Sequence, residues 1–283
     1  ISPALVTGIT QEKGQRLTAI SLDNIDMTIQ SKLVIAADGA ESSVRKWTVM
    51  ETSEKDYQQT AIICNVTPEY PHNNIAYERF TDAGPLAFLP LPDFVAGEDV
   101  RSRCSVVWTV SPSQADSIMK LPDAEFLQQL QACFGLRLGA LQRTGQRTAY
   151  PLKLVQVKPG ATERIALVGN AAHTLHPVAG QGFNLGVRDV MTLAELLLEA
   201  GLNGLDIGDQ SILQRYHQAR QRDYKRVIHS TDTLALLFTY RFKPVQLVRS
   251  AGMLLLDVIP GVSTMLARRA MGLSGRMPRL DYD

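Results

Sequence analysis

Alternating apolar and polar positions dominate the start of the chain and predict short β-strands around Ala4–Ile9, Arg16–Leu22 and Met27–Ile29. An almost continuous apolar run, Lys32–Gly39, follows them and ends in a loop. Such a run is typical of a strand that is buried on both faces of a parallel sheet. The pattern therefore predicts an α/β sheet, although no βα unit precedes this strand to supply its neighbours.

The pattern changes between Gln58 and Pro151, where strand-like runs follow one another before a single helix. The predicted strands are Thr60–Val66, Ile75–Thr81, Leu86–Leu89 and Cys104–Val110, and the predicted helix is Asp123–Phe134. This succession is typical of a mixed or antiparallel sheet domain. The α/β pattern then returns, with a strand at Arg164–Val168, a helix from about Gly182 to Ala200, and helices from Asp209 onward. The sheet domain is therefore predicted to be inserted into the α/β domain.

Charge and cysteine content exclude several classes of protein. The net charge of +1, from 29 basic and 28 acidic residues, lacks the basic surplus of a nucleic-acid-binding protein. Three widely spaced cysteines form no Cys-x-x-Cys pair, so neither a disulfide framework nor a zinc site is predicted, and a cytoplasmic location is expected. No apolar run reaches the length of a transmembrane helix. The stretch from Arg215 to Asp283 is basic, with twelve Lys and Arg against five Asp and Glu.

The strongest chemical signal is the stretch Arg164–Asp189, in which a strand runs into Gly169-Asn170 and a glycine-rich turn at 180–182 opens a helix. Glycines at such a turn allow a cofactor to approach the backbone closely. The N–H groups at a helix start can also donate to an anion or an electron-rich carbonyl. Gly180, Gly182 and Gly186 have the spacing G-x-G-x-x-x-G, which does not satisfy the dinucleotide fingerprint, so a helix cap without a ligand is the alternative.

A second motif, Ala37-Asp-Gly-Ala-Glu-Ser-Ser-Val-Arg45, stands at the end of the apolar strand. Together the two segments resemble the DG and GD motifs of the class A flavoprotein aromatic hydroxylases, the family of para-hydroxybenzoate hydroxylase. The Gly169–Asp189 and Tyr77–Leu91 stretches are most similar to its ubiquinone-biosynthesis branch, that of the 2-octaprenyl-6-methoxyphenol hydroxylases. The resemblance covers nearly the whole chain. Taken alone, Asp38 and Ser42 could equally well cap a short helix.

The resemblance implies a para-hydroxybenzoate-hydroxylase-like fold of mixed α/β and α+β class, in which an FAD-binding Rossmann-type domain holds an inserted substrate domain. Its segments here would be 1–53, a partial FAD-binding domain with the DG motif; 54–151, the substrate-binding sheet; 152–205, the FAD-binding part with the second motif; and 206–283, a helical C-terminal region. The family begins with a G-x-G-x-x-G turn for the FAD pyrophosphate, and none occurs before Asp38. The chain is therefore expected to be a C-terminal fragment that binds FAD weakly or not at all and is inactive alone.

The resemblance also implies which residues contact FAD. Asp38 and Gly39, supported by Arg45, would lie near the pyrophosphate and the approach of the pyridine nucleotide. Asn170, where most of the family has Asp, would bond the ribityl or phosphate portion. Pro177 and the run 180–184 would face the isoalloxazine, to which the backbone amides donate. The predicted set is Asp38, Gly39, Arg45, Gly169, Asn170, Pro177, Gly180, Gln181, Gly182, Phe183 and Asn184.

The implied reaction uses FAD, NAD(P)H and O₂. NAD(P)H would reduce FAD, O₂ would add to give a C4a-hydroperoxide, and one oxygen would pass to the ring of a polyprenylated phenol. No residue stands in a motif position that identifies the group activating the phenol. Apolar contacts with the ring are expected near Phe80, Phe88 and Leu89, with core packing as the alternative. Other ubiquinone-biosynthesis enzymes, a membrane contact through Arg268-Arg269, and a second copy of the chain stay open as partners.

His173 and His176 lack a third ligand at recognisable spacing, so no metal site is predicted and both are interpreted as structural or loop residues. Two other functions stay open. The same scaffold serves flavin-dependent reductases of isoprenoid chains and halogenases, and a chain without the pyrophosphate turn could be a non-catalytic assembly piece. Incorporation of oxygen into a phenol would separate the hydroxylase from both.

Overall fold

The structure, a computed structural model, describes residues 1–12, 14–22, 25–96, 99–158, 163–175, 180–239 and Gly261. The predictions made for His176, Pro177, Arg268-Arg269 and helices beyond residue 239 lie outside this part of the chain. The strands are β1 (Leu5–Glu12), β2 (Gln15–Leu22), β3 (Ile25–Ser31), β4 (Val34–Ala36), β5 (Thr52–Pro68), β6 (Tyr77–Thr81), β7 (Gly84–Ala96), β8 (Asp99–Val110), β9 (Leu141–Thr144), β10 (Thr148–Val157), β11 (Ile165–Leu167) and β12 (His173–Thr174). The helices are α1 (Ser43–Trp47), α2 (Pro112–Met119), α3 (Asp123–Phe134), α4 (Gln181–Leu202) and α5 (Gln210–Thr239), with a 3₁₀ turn at Gly169–Ala171.

The described chain divides into two compact units. The first comprises Ile1–Lys55 and Lys153–Thr231, and the second is built on Asp56–Leu152. In the first unit, β1, β2 and β3 form an antiparallel meander, while β4 and β11 pair in parallel. The combination of a parallel pair, covering helices and separate antiparallel strands is the mixed α/β class predicted from the sequence.

Strand β4 is shorter and more exposed than the strand that the apolar run Lys32–Gly39 predicts. Only Val34–Ala36 is in strand conformation, and Ile35 is 49% exposed. The expectation of a strand buried on both faces is therefore wrong at Ile35, because the described residues pack against only one side of β4. Its partner β11 is fully buried.

Two long helices cover β11. Apolar side chains recur on α4 with helical spacing, and those of α5 meet them in one cluster. The cluster consists of Ala166, Val168, Leu193, Leu196, Ala200, Ile212, Leu213 and Tyr216. The Tyr216 hydroxyl donates to the carbonyl oxygen of Leu167 at 2.8 Å, which ties α5 to the end of β11. No helix in the described ranges combines the length and the hydrophobicity needed to span a bilayer.

The second unit is a sheet with helices on one face. Its strand order is β10–β5–β8–β7–β6, and β9 pairs with β5. Alternate side chains of β5, β7 and β8 pack against α2 and α3, and together these side chains form the core of this unit. Helix α3 has the predicted bounds, and α2, which was not predicted, begins with Pro112 and a capping box between Ser111 and Gln114.

Candidate functional site

Two loops leave the same edge of the β4–β11 pair. The strands are parallel and in register, so both loops start at the carboxyl end. Asp38 and Gly39 follow β4, and Gly169 and Asn170 follow β11. The carboxyl edge of parallel strands is where open α/β sheets bind ligands. The structure thus brings the two sequence motifs to the same edge of the sheet. A hydrogen bond joins them between residues that are 126 positions apart in the sequence.

Arg45 makes that bridging contact. It is nearly buried, with 8% of its surface exposed. Its Nη1 donates to the carbonyl oxygen of Ala171 at 3.0 Å, and its Nη2 donates to that of Ala40 at 2.6 Å. A guanidinium that bonds carbonyls of both loops fixes the spacing between them. The structure therefore shows an internal, loop-joining contact at a residue that the motif placed beside the cofactor.

Asp38 caps the short helix α1. Its Oδ2 accepts the backbone N–H of Val44 at 3.2 Å, and Ser42 Oγ accepts that of Arg45 at 3.0 Å. Burial by itself would raise the pKa of Asp38, but hydrogen bonds from Ser42 and from the backbone outweigh it, so the pKa lies below its ordinary value. The capping alternative thus describes real contacts. Asp38 is still exposed beside Gly39 and is ionised at neutral pH.

Three glycines in the loops leave open space where a larger residue would place its Cβ. Gly39, Gly169 and Gly180 have φ angles of 84°, 59° and 60°. Among the residues that the structure describes, no heavy atom apart from those of the adjacent residues lies within 4 Å of the Cβ position at any of them. Glycine adopts positive φ without steric cost, so each of these positions leaves open space on the side where a Cβ would stand. Such a cradle fits the close approach of an extended cofactor.

The start of α4 has a glycine at its N-cap. Gly180 is the N-cap residue, and as a glycine it contributes no side-chain capping bond. That turn contains Gln181, Gly182, Phe183 and Asn184, and Phe183 is 80% exposed. N–H groups at a helix start carry partial positive charge. The turn therefore suits an anionic or carbonyl-bearing group.

Gly186 has a packing role. The Cβ position of Gly186 on α4 lies 3.3 Å from the Cα of Gly169. A larger side chain would push α4 away from the turn after β11, because packed interiors have little room to give. The last glycine of the G-x-G-x-x-x-G run is thus explained by the close approach of helix and turn.

A buried polar cluster adjoins this turn, and sequence reasoning missed it. Asp189 on α4 has no exposed surface. Its Oδ2 accepts the backbone N–H of Gly169 at 2.9 Å and lies 2.7 Å from His173 Nε2. Its Oδ1 accepts Arg220 Nε at 2.7 Å and the Tyr224 hydroxyl at 2.8 Å. One signal was present in the sequence, because Asp189 interrupts the apolar stripe of α4.

The charges of the cluster support one another. Burial lowers the pKa of Arg220, but its interactions with Asp189, Tyr224 and Asp223 together outweigh burial, and the pKa is raised. Burial raises the pKa of Tyr224 well above its ordinary value, so its hydroxyl stays protonated and can donate. The cluster therefore has the Asp189–Arg220 ion pair at its centre, with the Tyr224 hydroxyl and the Gly169 N–H as further donors.

His173 has a structural role in the same cluster. Because a carboxylate only accepts hydrogen bonds, the ring carries its proton on Nε2. The ring is fully buried, and its Nδ1 has no partner among the residues described. Within those residues, no group of three or more His, Cys, Asp or Glu side chains could hold a metal ion.

The second unit separates the three side chains predicted to contact the ring. Phe88 is fully buried and stacks on Phe134 with ring centroids 3.8 Å apart. Leu89 is 43% exposed and lies on the opposite face of β7. Phe80 on β6 pairs with Pro85 of β7, so its side chain lies on the same sheet face as that of Leu89. The ring-contact prediction is therefore wrong for Phe88, which belongs to the core. Leu89 and Phe80 stay candidates.

A family model described as an FAD binding domain matches residues 6–231. That range contains both loops, α4 and all members of the Asp189 cluster. Because the match covers most of the chain, the chain belongs to the FAD binding domain family. The predicted family and its cofactor, FAD, are confirmed.

Within the family, the chain resembles proteins of ubiquinone biosynthesis. It is 36% identical over 284 residues to "Ubiquinone hydroxylase UbiL" of Rhodospirillum rubrum, covering 99% of this chain and 63% of the relative. It is 30% identical over 260 residues to mouse "Ubiquinone biosynthesis monooxygenase COQ6, mitochondrial", covering 80% and 53%. "Uncharacterized protein slr1300" of Synechocystis is 34% identical over 278 residues, covering 98% and 65%. The chain thus spans about half to two thirds of the length of these relatives.

Solved structures support the fold. The p-nitrophenol 4-monooxygenase PnpA of Pseudomonas putida superposes with a TM-score of 0.70 at 19% identity, covering 95% of this chain and 65% of that one. CabE, an aromatic hydroxylase from angucycline biosynthesis, gives 0.66 at 21% identity, covering 95% and 52%. At this identity the likeness establishes the architecture, in agreement with the predicted fold class.

Proposed function

We propose that the protein carrying this chain is a flavin-dependent monooxygenase that hydroxylates the aromatic ring of a polyprenylated phenol in ubiquinone biosynthesis. The observation that carries the proposal is the meeting of the Asp38-Gly39 and Gly169-Asn170 loops at one sheet edge, in a chain 36% identical to a ubiquinone hydroxylase. Bound FAD, reduced by NAD(P)H, supplies the activation of O₂ and the transfer of one oxygen atom to the ring.

The candidate site residues differ in charge and hydrogen-bonding capacity, so they suit different parts of FAD. Asp38 is ionised and accepts hydrogen bonds, so it suits a sugar or ribityl hydroxyl and repels phosphate. The open space at the Cβ positions of Gly39 and Gly169 suits close approach by the cofactor. Asn170 is exposed and uncharged, and its amide can both donate to and accept from a hydroxyl. The first turn of α4 donates to carbonyl groups of the isoalloxazine.

The second unit contributes apolar surface for the substrate. Phe80 and Leu89 share a sheet face that is not the helix-packed core face, and Leu89 is partly exposed. An aromatic ring or a prenyl chain gains free energy by burying such surface. These two side chains are therefore proposed to contact the phenol.

The test of the reaction is isotopic. The protein carrying this chain is incubated with FAD, NAD(P)H and a short-chain polyprenylated phenol under ¹⁸O₂, and the product is analysed by mass spectrometry. One ¹⁸O atom per ring is expected, with NAD(P)H consumed in proportion. Chlorination of the ring, saturation of a prenyl double bond, or NAD(P)H oxidation without ring oxygen would overturn the proposal and favour another reaction on this scaffold.

Replacing Asn170 by leucine is expected to raise the dissociation constant of FAD about 2- to 10-fold, because one hydrogen bond to a hydroxyl is lost. Titration followed by flavin fluorescence measures the change. Asn203→Leu is the matched control, since Asn203 is also exposed but caps the far end of α4. Equal FAD affinity in Asn170→Leu and the parent protein would contradict the assignment of Asn170.

Gly182→Ala is expected to act in opposite directions on folding and on FAD binding. Alanine stabilises a helix by roughly 0.5–1 kcal/mol over glycine, and in the described part of the chain no atom beyond the adjacent residues and the backbone of α4 itself lies within 4 Å of the new Cβ. The thermal midpoint should therefore rise. FAD affinity should fall, because the methyl group occupies space proposed for the cofactor.

Gly201→Ala is the control for this variant. Gly201 stands near the other end of α4, with the same open surroundings. It should raise the thermal midpoint and leave the FAD dissociation constant unchanged. A Gly182→Ala protein that gains stability and keeps full FAD affinity would place the cofactor elsewhere.

A further inference from the structure

Asp189 is bonded by groups from three different elements. Gly169 belongs to the turn after β11, His173 to β12, and Arg220 and Tyr224 to α5. The carboxylate itself projects from α4 and is fully buried. Its position is therefore set by contacts that lie far apart in the sequence.

The two carboxylate oxygens have different partners. Oδ2 bonds the turn side, through the Gly169 N–H and the His173 ring. Oδ1 bonds the α5 side, through Arg220 and Tyr224. Since the two oxygens are fixed to one another, anchoring one of them by α5 fixes the other against the turn. Asn170, the next residue after Gly169, is exposed on the outer side of that turn.

We propose that Asp189 is a positioning residue for FAD: its buried carboxylate, held by Arg220 and Tyr224, sets the backbone of the Gly169-Asn170 turn against which the cofactor binds. Asp189 does not reach the surface and so does not touch the cofactor. The inference rests on the FAD site of the proposed function and extends it to a residue that the motifs leave without a role.

A neutral amide of the same shape cannot replace the carboxylate. All four partners donate, and each carboxylate oxygen accepts two bonds. Asparagine has one accepting oxygen and one donating nitrogen. Whichever way its amide is turned, one group that can only donate, the Gly169 N–H or Arg220 Nε, faces the amide nitrogen. Asp189→Asn therefore keeps the volume and disturbs one side of the cluster.

The experiment compares Asp189→Asn with Tyr216→Phe in the protein carrying this chain. Tyr216 is equally buried on α5, and its hydroxyl donates to the Leu167 carbonyl oxygen and adjoins Tyr224 without bonding Asp189. Three quantities are measured: the FAD dissociation constant by fluorescence, the thermal midpoint without FAD, and hydrogen exchange of the peptide 165–175 without FAD.

For Asp189→Asn, the FAD dissociation constant is expected to rise at least tenfold, with faster exchange in the peptide 165–175. Tyr216→Phe should lower the thermal midpoint and leave the dissociation constant within twofold. The inference is overturned if Asp189→Asn binds FAD within twofold of the parent protein. It is also overturned if Tyr216→Phe raises the FAD dissociation constant to the same extent, since the effect would then follow from general destabilisation.

Tyr224→Phe provides the same test should Asp189→Asn fail to fold. It keeps the charge and removes one of the four bonds. A two- to fivefold rise in the FAD dissociation constant is expected, and no rise would overturn the inference. FAD affinity and exchange do not depend on hydroxylation. A protein that binds FAD in the predicted way and yields no hydroxylated ring therefore refutes the proposed function alone.

Discussion

Replacing Arg220 by methionine is expected to lower the free energy of unfolding by about 3 kcal/mol, near the lower end of the cost of breaking a buried ion pair. Arg220 is 2% exposed, and its Nε bonds Asp189, which has no exposed surface. Methionine fills much of the volume and leaves the Asp189 charge buried without its cation. The cost stays near the lower end because Gly169, His173 and Tyr224 still donate to the carboxylate.

Urea unfolding followed by circular dichroism measures this loss, and Arg215→Met is its matched control. Arg215 lies on the same helix and pairs with Glu199, but both side chains are about half exposed. An exposed ion pair contributes about 0–1 kcal/mol. A similar loss of unfolding free energy in the two variants would show that the buried ion pair stabilises the protein no more than the exposed one.

Phe88→Ala is expected to lower the free energy of unfolding of the second unit by about 3–5 kcal/mol. Phe88 is completely buried, stacks on Phe134 and lies in the main apolar cluster of that unit. Removing the ring loses its transfer free energy and leaves a cavity that the two-layer packing cannot fill. The unfolding midpoint in urea reports the change.

The adjacent substitution, Leu89→Ala, should behave differently. Leu89 is 43% exposed on the opposite face of β7, so its loss is expected to cost less than about 1 kcal/mol. Its effect should instead appear as a raised KM for the phenol. Equal destabilisation by the two substitutions would contradict the placement of Phe88 and Leu89 on different faces.

The sequence alone predicted the fold class and the family, because each depends on local pattern or motif. It did not separate Phe88 from Leu89. Leu86–Leu89 is apolar at four consecutive positions, and a period of two cannot be assigned to such a run. The same ambiguity made Ile35 look buried.

The Asp189 cluster could not be predicted from local pattern. Its members Gly169, His173, Asp189, Arg220 and Tyr224 come together only when the turn, α4 and α5 pack. An aspartate within an apolar helical stripe signals that a partner exists, but not which residue it is. Helix α2, in contrast, had a readable local signal in its capping box at Ser111–Gln114.

The contact of Arg45 with Ala171 joins segments 126 residues apart, and the segment Asp56–Leu152 of the second unit lies between them in the sequence. Contacts of such separation form slowly, because a long loop must close before they stabilise anything. The second unit has its own apolar cluster and can collapse around local contacts first. The cofactor cradle is therefore expected to be assembled late on the folding pathway, so that mutations slowing the folding of the intervening unit would reduce the yield of cofactor-binding protein without altering the site itself.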